Sequence, residues 1–378
     1  MNEVDIVDVI AGAVIVIATL YDVFQSVVMP RPAVGRVRIS PTFVRRAWVV
    51  WRWVAQRLRP LQTREAALAV FAPMMVVWLL VMWAFLLIAG YALLYNGLHA
   101  GLQPAPGSYG AALQYSASRM LAFSSGNVAT AGTVTPVLTT IEAASGFGLF
   151  ALVISLLFSL FSAFQRRETA VVALDALAGA PPTGVQLLES CAKFDMPATL
   201  VSTFETWQIW TADVLESHLA YPLLLFFRSS HDNEAWPNSF GAVLDAAALV
   251  ITTIDGGPAG PAHLMYKVGD HFVTDMRRYL GYDDALNPRV EREEFEAAAQ
   301  RLRRAGYRIR DVDVAWPEFS RLRGGYGPWL NRVTRSLLVP PAPWIGDRSY
   351  LPHRDGTPRA AGLSARSPSR RSPAAPAR

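Results

Sequence analysis

A polar, hydroxyl-rich segment sits between two long apolar runs, and it is too short and too polar to cross a bilayer. It extends from Ala111 to Pro136, and its centre reads Ser124-Ser125-Gly126-Asn127-Val128-Ala129-Thr130-Ala131-Gly132-Thr133-Val134-Thr135-Pro136. An uncharged stretch, Ala66 to Ser118, leads into it, and a second, Ala143 to Gln165, follows it. Lipid satisfies no backbone N–H or C=O group, so irregular chain at membrane depth must be buried in protein or line a water-filled cavity. Span, dip, span is therefore a layout that few architectures satisfy, and a re-entrant loop is the first of them.

A helix needs about 20 apolar residues to cross a hydrocarbon core of about 30 Å. Three segments qualify, at about 6–28, 66–94 and 141–165. The first begins Met-Asn-Glu-Val-Asp, without a basic leader, and has no small-residue cleavage site before Pro30, so it reads as a retained helix. With 52% hydrophobic and 17% charged residues and a mean hydropathy of +0.24, the chain is too apolar for an ordinary soluble domain. It is also too mixed for spans alone, which implies a membrane part joined to a soluble part.

Charge orients the spans. The loop 30–64 holds nine arginines (31, 36, 38, 45, 46, 52, 57, 59 and 64) and no acid, and Arg166 and Arg167 follow the third span directly. The positive-inside rule places both on the cytoplasmic side, with the N-terminus outside. The same loop carries Trp48, Trp51, Trp53, Val49, Val50 and Val54, a mixture suited to a helix in the headgroup layer of an anionic inner leaflet. Tethering at both ends argues against a nucleic-acid partner. Asp8 reads as reaching the interface. For Asp22 the same reading competes with a pairing to a loop arginine.

Within the dip, Ala111 to Phe123 has the apolar surface of a short helix, whose C-terminal carbonyl end favours a cation. Residues 124–135 would return as extended chain, with carbonyls free to replace an ion's water. Arg119 lies in that short helix, and Glu142 is the only acid between Glu65 and Glu168. A buried Arg119–Glu142 pair supporting the loop is the expectation, because an unpaired cation at this depth is expensive. On the third span Ser155, Ser159 and Ser162 form a polar stripe, lining a water path or bonding across helices. Gly146 and Gly148 serve close helix packing or a gating bend. Pro73 marks a kink in the second span.

Residues 168–340 read as helices with short breaks: Leu200, Phe204, Trp207, Trp210 and Val214 recur at three and four, and Pro and Gly pairs punctuate. No Walker loop, dinucleotide fingerprint or nucleophile elbow occurs, and His218, His231, His263 and His271 lack metal-ligand spacing. The expectation is a non-enzyme without cofactor. His231-Asp232-Asn233-Glu234 reads as a solvated loop, Glu291 to Arg304 as a solvated helix, and the lone Cys191 as a small buried apolar residue. From residue 341 the chain is a basic, Pro-rich tail, expected to be disordered.

A span, a short helix, a Thr/Gly-rich strand, Pro136 and a glycine-containing span together resemble the two-transmembrane pore domain of potassium channels, over about 66–167. The resemblance implies that Thr130, Ala131, Gly132, Thr133, Val134 and Thr135 stand at the positions of the family's Thr-Val-Gly-Tyr-Gly-Asp filter. An alternative register puts Gly132 on the second glycine. Thr130 and Gly132 match in the first register. One glycine, the aromatic and the acid are missing, and valine disfavours the positive φ that glycine supplies. The resemblance implies a homotetramer conducting monovalent cations, potassium first, with altered or poor selectivity. Thr130 to Val134 would be the constriction, Ser155 and Ser159 would line the path below, and Arg119 and Glu142 would support the filter. A channel-derived anchor or interaction module that no longer conducts is the alternative. More loosely, Phe164-Gln165-Arg166-Arg167-Glu168, Ala180-Pro181-Pro182 and Phe226-Phe227-Arg228-Ser229 resemble actinobacterial potassium-channel-like membrane proteins.

The expected fold is an all-α membrane protein. It has a first transmembrane helix (1–29), a basic interfacial loop (30–65), a pore domain with a re-entrant loop between the second and third spans (66–167), a helical cytoplasmic domain (168–340) and the tail (341–378).

Overall fold

The computed structural model describes residues 3–29, 39–58, 61–98, 101–121, 123, 128–229, 235–281 and 290–344. Arg31, Arg36, Arg38, Arg59, Ser124 to Asn127, the His231 to Glu234 cluster and the chain from 345 onward lie outside the described residues. The chain is mostly helical, and three of its helices are long and apolar enough to cross a membrane. It divides into two compact units. The first comprises 1–167 with 214–228, and the second 168–213 with 229–378. Residues 214–228, read from sequence as part of the cytoplasmic domain, thus group with the apolar helices.

In the first unit, α1 (Glu3–Val23) continues through wider turns to Val28. It is followed by α2 (Ile39–Ala55) and α3 (Leu61–Gly97), which runs unbroken through Pro73. Next come α4 (Tyr109–Met120) and most of α5 (Val134–Ala178), whose residues after 167 belong to the second unit. Helices α3 and α5 exceed the expected spans at both ends, since helix continues into polar residues where hydropathy no longer marks it. α1 packs on α3 at two glycines. A Cβ on Gly12 would lie 2.6 Å from the Gly90 carbonyl oxygen, so the backbones touch as only small residues allow. Asn96 donates to Asp8 at 2.7 Å, and Trp83 Nε1 donates to Asp22 at 2.9 Å. The two helices therefore run antiparallel.

Asp22 is buried, and among the described residues it caps a helix and pairs with no arginine. Its carboxylate accepts from the backbone N–H groups of Ile39 and Ser40 at 3.0 and 3.2 Å and from the Ser40 hydroxyl. An anion satisfies the orphan donors at a helix N-terminus and complements its dipole. At the other end of α2, Trp51 Nε1 donates to the Ala67 carbonyl at 3.0 Å, and Trp48 stacks on Phe71 at 4.9 Å. α2 therefore lies along the first half of α3.

The departure from an all-helical chain is small. Strands β1 (Leu102–Gln103) and β2 (Ala129–Thr130) pair antiparallel, with Leu102 opposite Thr130.

The second unit contains α6 (Gly184–Lys193), most of α7 (Pro197–Ala220), α8 (Trp236–Thr252), α9 (Ala259–Leu280), α10 (Arg292–Arg304) and α11 (Val312–Leu337). Every residue of α8 is buried, and α6, α9 and α11 pack around it. A helix apolar all round is a core helix. Its one acid, Asp245, accepts from Arg323 Nε at 3.1 Å and Tyr326 Oη at 2.6 Å. The α7 stripe Leu200, Phe204, Trp207 and Trp210 is buried, as is Cys191. α10 carries a capping box between Glu291 and Glu294, acids in its first turn and arginines in its last, matching its dipole. It is more than a solvated face, because Phe295, Ala298, Ala299 and Leu302 are buried.

Candidate functional site: a polar cluster and a loop between two apolar helices

Helix α4 is a twelve-residue element between two helices each long enough to span a membrane. Ser108 caps it, its hydroxyl accepting from Ala111 N at 3.4 Å. Its far end abuts α5, since a Cβ on Gly146 would lie 2.5 Å from the Met120 carbonyl oxygen. Gly146 therefore serves close approach of the helices. At Gly148 a Cβ would meet open space.

Glu142, fully buried on α5, joins three helices. It accepts from Tyr95 Oη of α3 at 2.6 Å and from Ser116 Oγ of α4 at 2.5 Å. Tyr95 also stacks edge-on against Tyr115, at 5.0 Å between ring centroids. Arg119 does not form the expected ion pair with Glu142. Its Nε donates to Tyr115 Oη at 3.2 Å, and its guanidinium lies over that ring at 5.2 Å. The physical reason is helical spacing: Tyr115, one turn back on α4, offers Arg119 both a hydroxyl and a π-face. Glu142 is met first by two neutral hydroxyls. Arg119 and Glu142 still belong to one assembly, linked through Tyr115 and Tyr95.

The five residues expected to form the constriction run into the start of α5. Thr130 belongs to β2, and Ala131 N donates to the Gly101 carbonyl at 2.8 Å. Gly132 adopts φ +75°, the left-handed conformation that glycine supplies without strain. Thr133 is exposed in the turn, and Val134 is the first residue of α5 and exposed. The expected extended return over 124–135 is thus corrected at its end, since Val134 and Thr135 are helical. Pro136 sits in the first turn of α5, where a missing N–H is no loss and a fixed φ favours helix.

On α5, Ser155 is exposed and Ser159 half-buried. The Ser159 hydroxyl donates to the Ser155 carbonyl at 3.0 Å, and Ser162 Oγ accepts from Arg166 at 2.8 Å. The stripe thus bonds within its own helix.

Sequence reasoning missed a second cluster, at Arg167. This arginine is fully buried. Its guanidinium donates to the carbonyls of Leu224 at 2.9 Å and Phe227 at 2.7 Å. It also lies 3.3 Å from His218 Nε2. His218 Nδ1 is 2.8 Å from the Val214 carbonyl, which assigns the proton to Nδ1 and leaves Nε2 to accept from Arg167. Burial first, and then the Arg167 charge, lower the His218 pKa to about 3. The short 3₁₀ helix Pro222–Phe226 fills the space beside it. Phe226 packs on Trp48 at 4.9 Å and Phe71 at 5.4 Å, and Phe227 packs on Phe164 at 5.5 Å. Arg228 pairs with Glu65. Residues 222–228 therefore clasp α2, α3 and α5 together. The Phe-Phe-Arg run was the available signal, but its partners are distant in sequence.

Compared with known families, curated proteins and solved structures, the chain matches no family model, no curated protein and no solved structure.

Proposed function

We propose that the chain is one subunit of a membrane ion channel that conducts monovalent cations, potassium among them, with poor selectivity. The observation that carries the reading is the short helix α4 held between two span-length helices by Glu142. The turn at Thr130 to Val134, the proposed constriction, leads directly into α5, the helix that carries Glu142. In this reading α4 and the turn form a re-entrant loop, α1, α3 and α5 cross the bilayer, the N-terminus is outside, and the second unit is cytoplasmic. Four copies surround the axis. The face of α5 bearing Ala144, Ala151 and Ser155 is exposed, Gly148 has open space above it, and small residues of this kind suit close packing between helices of separate copies. Ser155 and Ser159 lie on this part of the helix and would line the lower path.

A second reading, a non-conducting channel-derived anchor, is favoured by one observation. The backbone around Thr130 is engaged with 101–103, and Val134 is helical, so fewer carbonyls are free than in an extended filter. Current through purified tetramer in planar bilayers, under potassium and sodium gradients, separates the two.

A further inference from the structure

We propose that the outward face of α2 is a binding surface for anionic phospholipid headgroups. Sequence alone puts three tryptophans and many arginines on this segment without saying which face they occupy. In the structure Trp48 and Trp51 turn inward, the first onto Phe71 and Phe226, the second onto the Ala67 carbonyl. What remains outside is a stripe at helical spacing. Val49, Val50 and Trp53 are 63, 63 and 56% exposed, Val54 is exposed beside them, and Arg45 and Arg46 stand one turn before.

Charge complementarity identifies the occupant. Arg45 and Arg46 are exposed and adjacent, and neither has a partner among the described residues. The loop 30–64 contains no acid to neutralise them. A guanidinium fork matches a phosphate, and it remains charged at any relevant pH. Beside it, an uninterrupted apolar patch ending in an outward tryptophan suits the boundary between headgroups and acyl chains. Arg57 closes the far end, its guanidinium stacked 3.1 Å over the Trp53 ring. The neighbouring helix α3, along which α2 lies, also exposes apolar side chains, Val70, Val77 and Trp78. A protein partner would need acidic groups to meet Arg45 and Arg46, whereas a lipid brings phosphate and hydrocarbon together.

This site rests on the reading of the apolar helices as membrane-spanning, and not on conduction. The test uses the full chain with Cys191→Ser, which removes the single cysteine, and Val50→Cys carrying a spin label. The protein is reconstituted in phosphatidylcholine vesicles with or without phosphatidylglycerol. The label is expected to collide with oxygen in preference to a water-soluble nickel chelate. Anionic lipid is expected to co-purify in excess of its share of the mixture. Arg45→Gln with Arg46→Gln is expected to reduce that excess by about an order of magnitude, with helicity unchanged. A label shielded from both reagents means that protein covers the face, and one open to nickel means water does. Either result, or an excess unaffected by the double substitution, overturns the proposal. Failure of the folded chain to enter vesicles at all counts against the membrane reading itself and removes the site with it.

Discussion

Tyr95 donates its phenolic hydrogen to Glu142 at 2.6 Å, and this bond joins the end of one apolar helix to the first third of another. With Ser116 on the other carboxylate oxygen, Glu142 is the point at which α3, α4 and α5 meet. Replacing Glu142 by alanine would take from Tyr95 its buried acceptor, while the Ser116 hydroxyl would turn wholly to the Ile88 carbonyl, 3.0 Å away. The expected loss is about 1–3 kcal/mol, the cost of one orphaned buried group. Glu142→Gln, which keeps an acceptor, is expected to lose less. Thermal unfolding in detergent, read by circular dichroism, orders the two variants.

Arg167 holds the clasp. Lysine at this position keeps the charge but loses the planar fork that reaches the Leu224 and Phe227 carbonyls and His218 together. Arg167→Lys is expected to destabilise by about 1.5–3 kcal/mol, the scale of charged hydrogen bonds lost. It should also open 221–228 to protease before the rest of the chain. Digestion at the wild-type rate would contradict the clasp.

His218 makes stability depend on pH. Its folded pKa of about 3 lies below the ordinary 6.5, so below pH 6.5 the unfolded chain binds a proton that the folded one refuses. Its stabilising contribution is complete above pH 6.5 and falls away as pH drops toward 3. His218→Gln retains one donor and one acceptor but does not titrate. Its unfolding temperature is expected to fall less than that of the wild type between pH 7 and pH 4.5. Parallel curves would contradict the assignment.

In the second unit, Asp245 is the buried acceptor for Arg323 and Tyr326. Asp245→Ala strands a buried guanidinium and is expected to destabilise by about 3–5 kcal/mol. Tyr326→Phe removes one hydrogen bond and is expected to lose about 1–2 kcal/mol. Chemical denaturation of the two variants measures both.

The features readable in the sequence share one property: they are written in hydropathy and local spacing. The three apolar helices follow from long apolar runs, α4 from its short apolar stretch, and the α7 stripe from residues three and four apart. The features that could not be read depend on neutral or distant partners. Ser116 and Tyr95 carry no charge to advertise them to Glu142, whereas Arg119, which bonds to Tyr115 and acts on Glu142 only through its field, does. Asp22 caps a helix beginning 17 residues later, with a backbone N–H that has no letter in the sequence. Val134 was legible as unfit for a positive φ, but its place as the opening residue of α5 depends on Pro136 and the packing around Gly101. The grouping of 214–228 with the apolar helices rests on Arg167 meeting main-chain carbonyls, which no composition reveals.

The central claim concerns Thr130 to Val134, and current measures it most directly. Purified protein, verified as a tetramer, would be placed in a planar bilayer under opposed potassium and sodium gradients. The account predicts discrete cation currents that reverse close to 0 mV, because a turn with one glycine at positive φ discriminates poorly between the two ions. No current in either gradient would contradict it and leave the helices as an anchor.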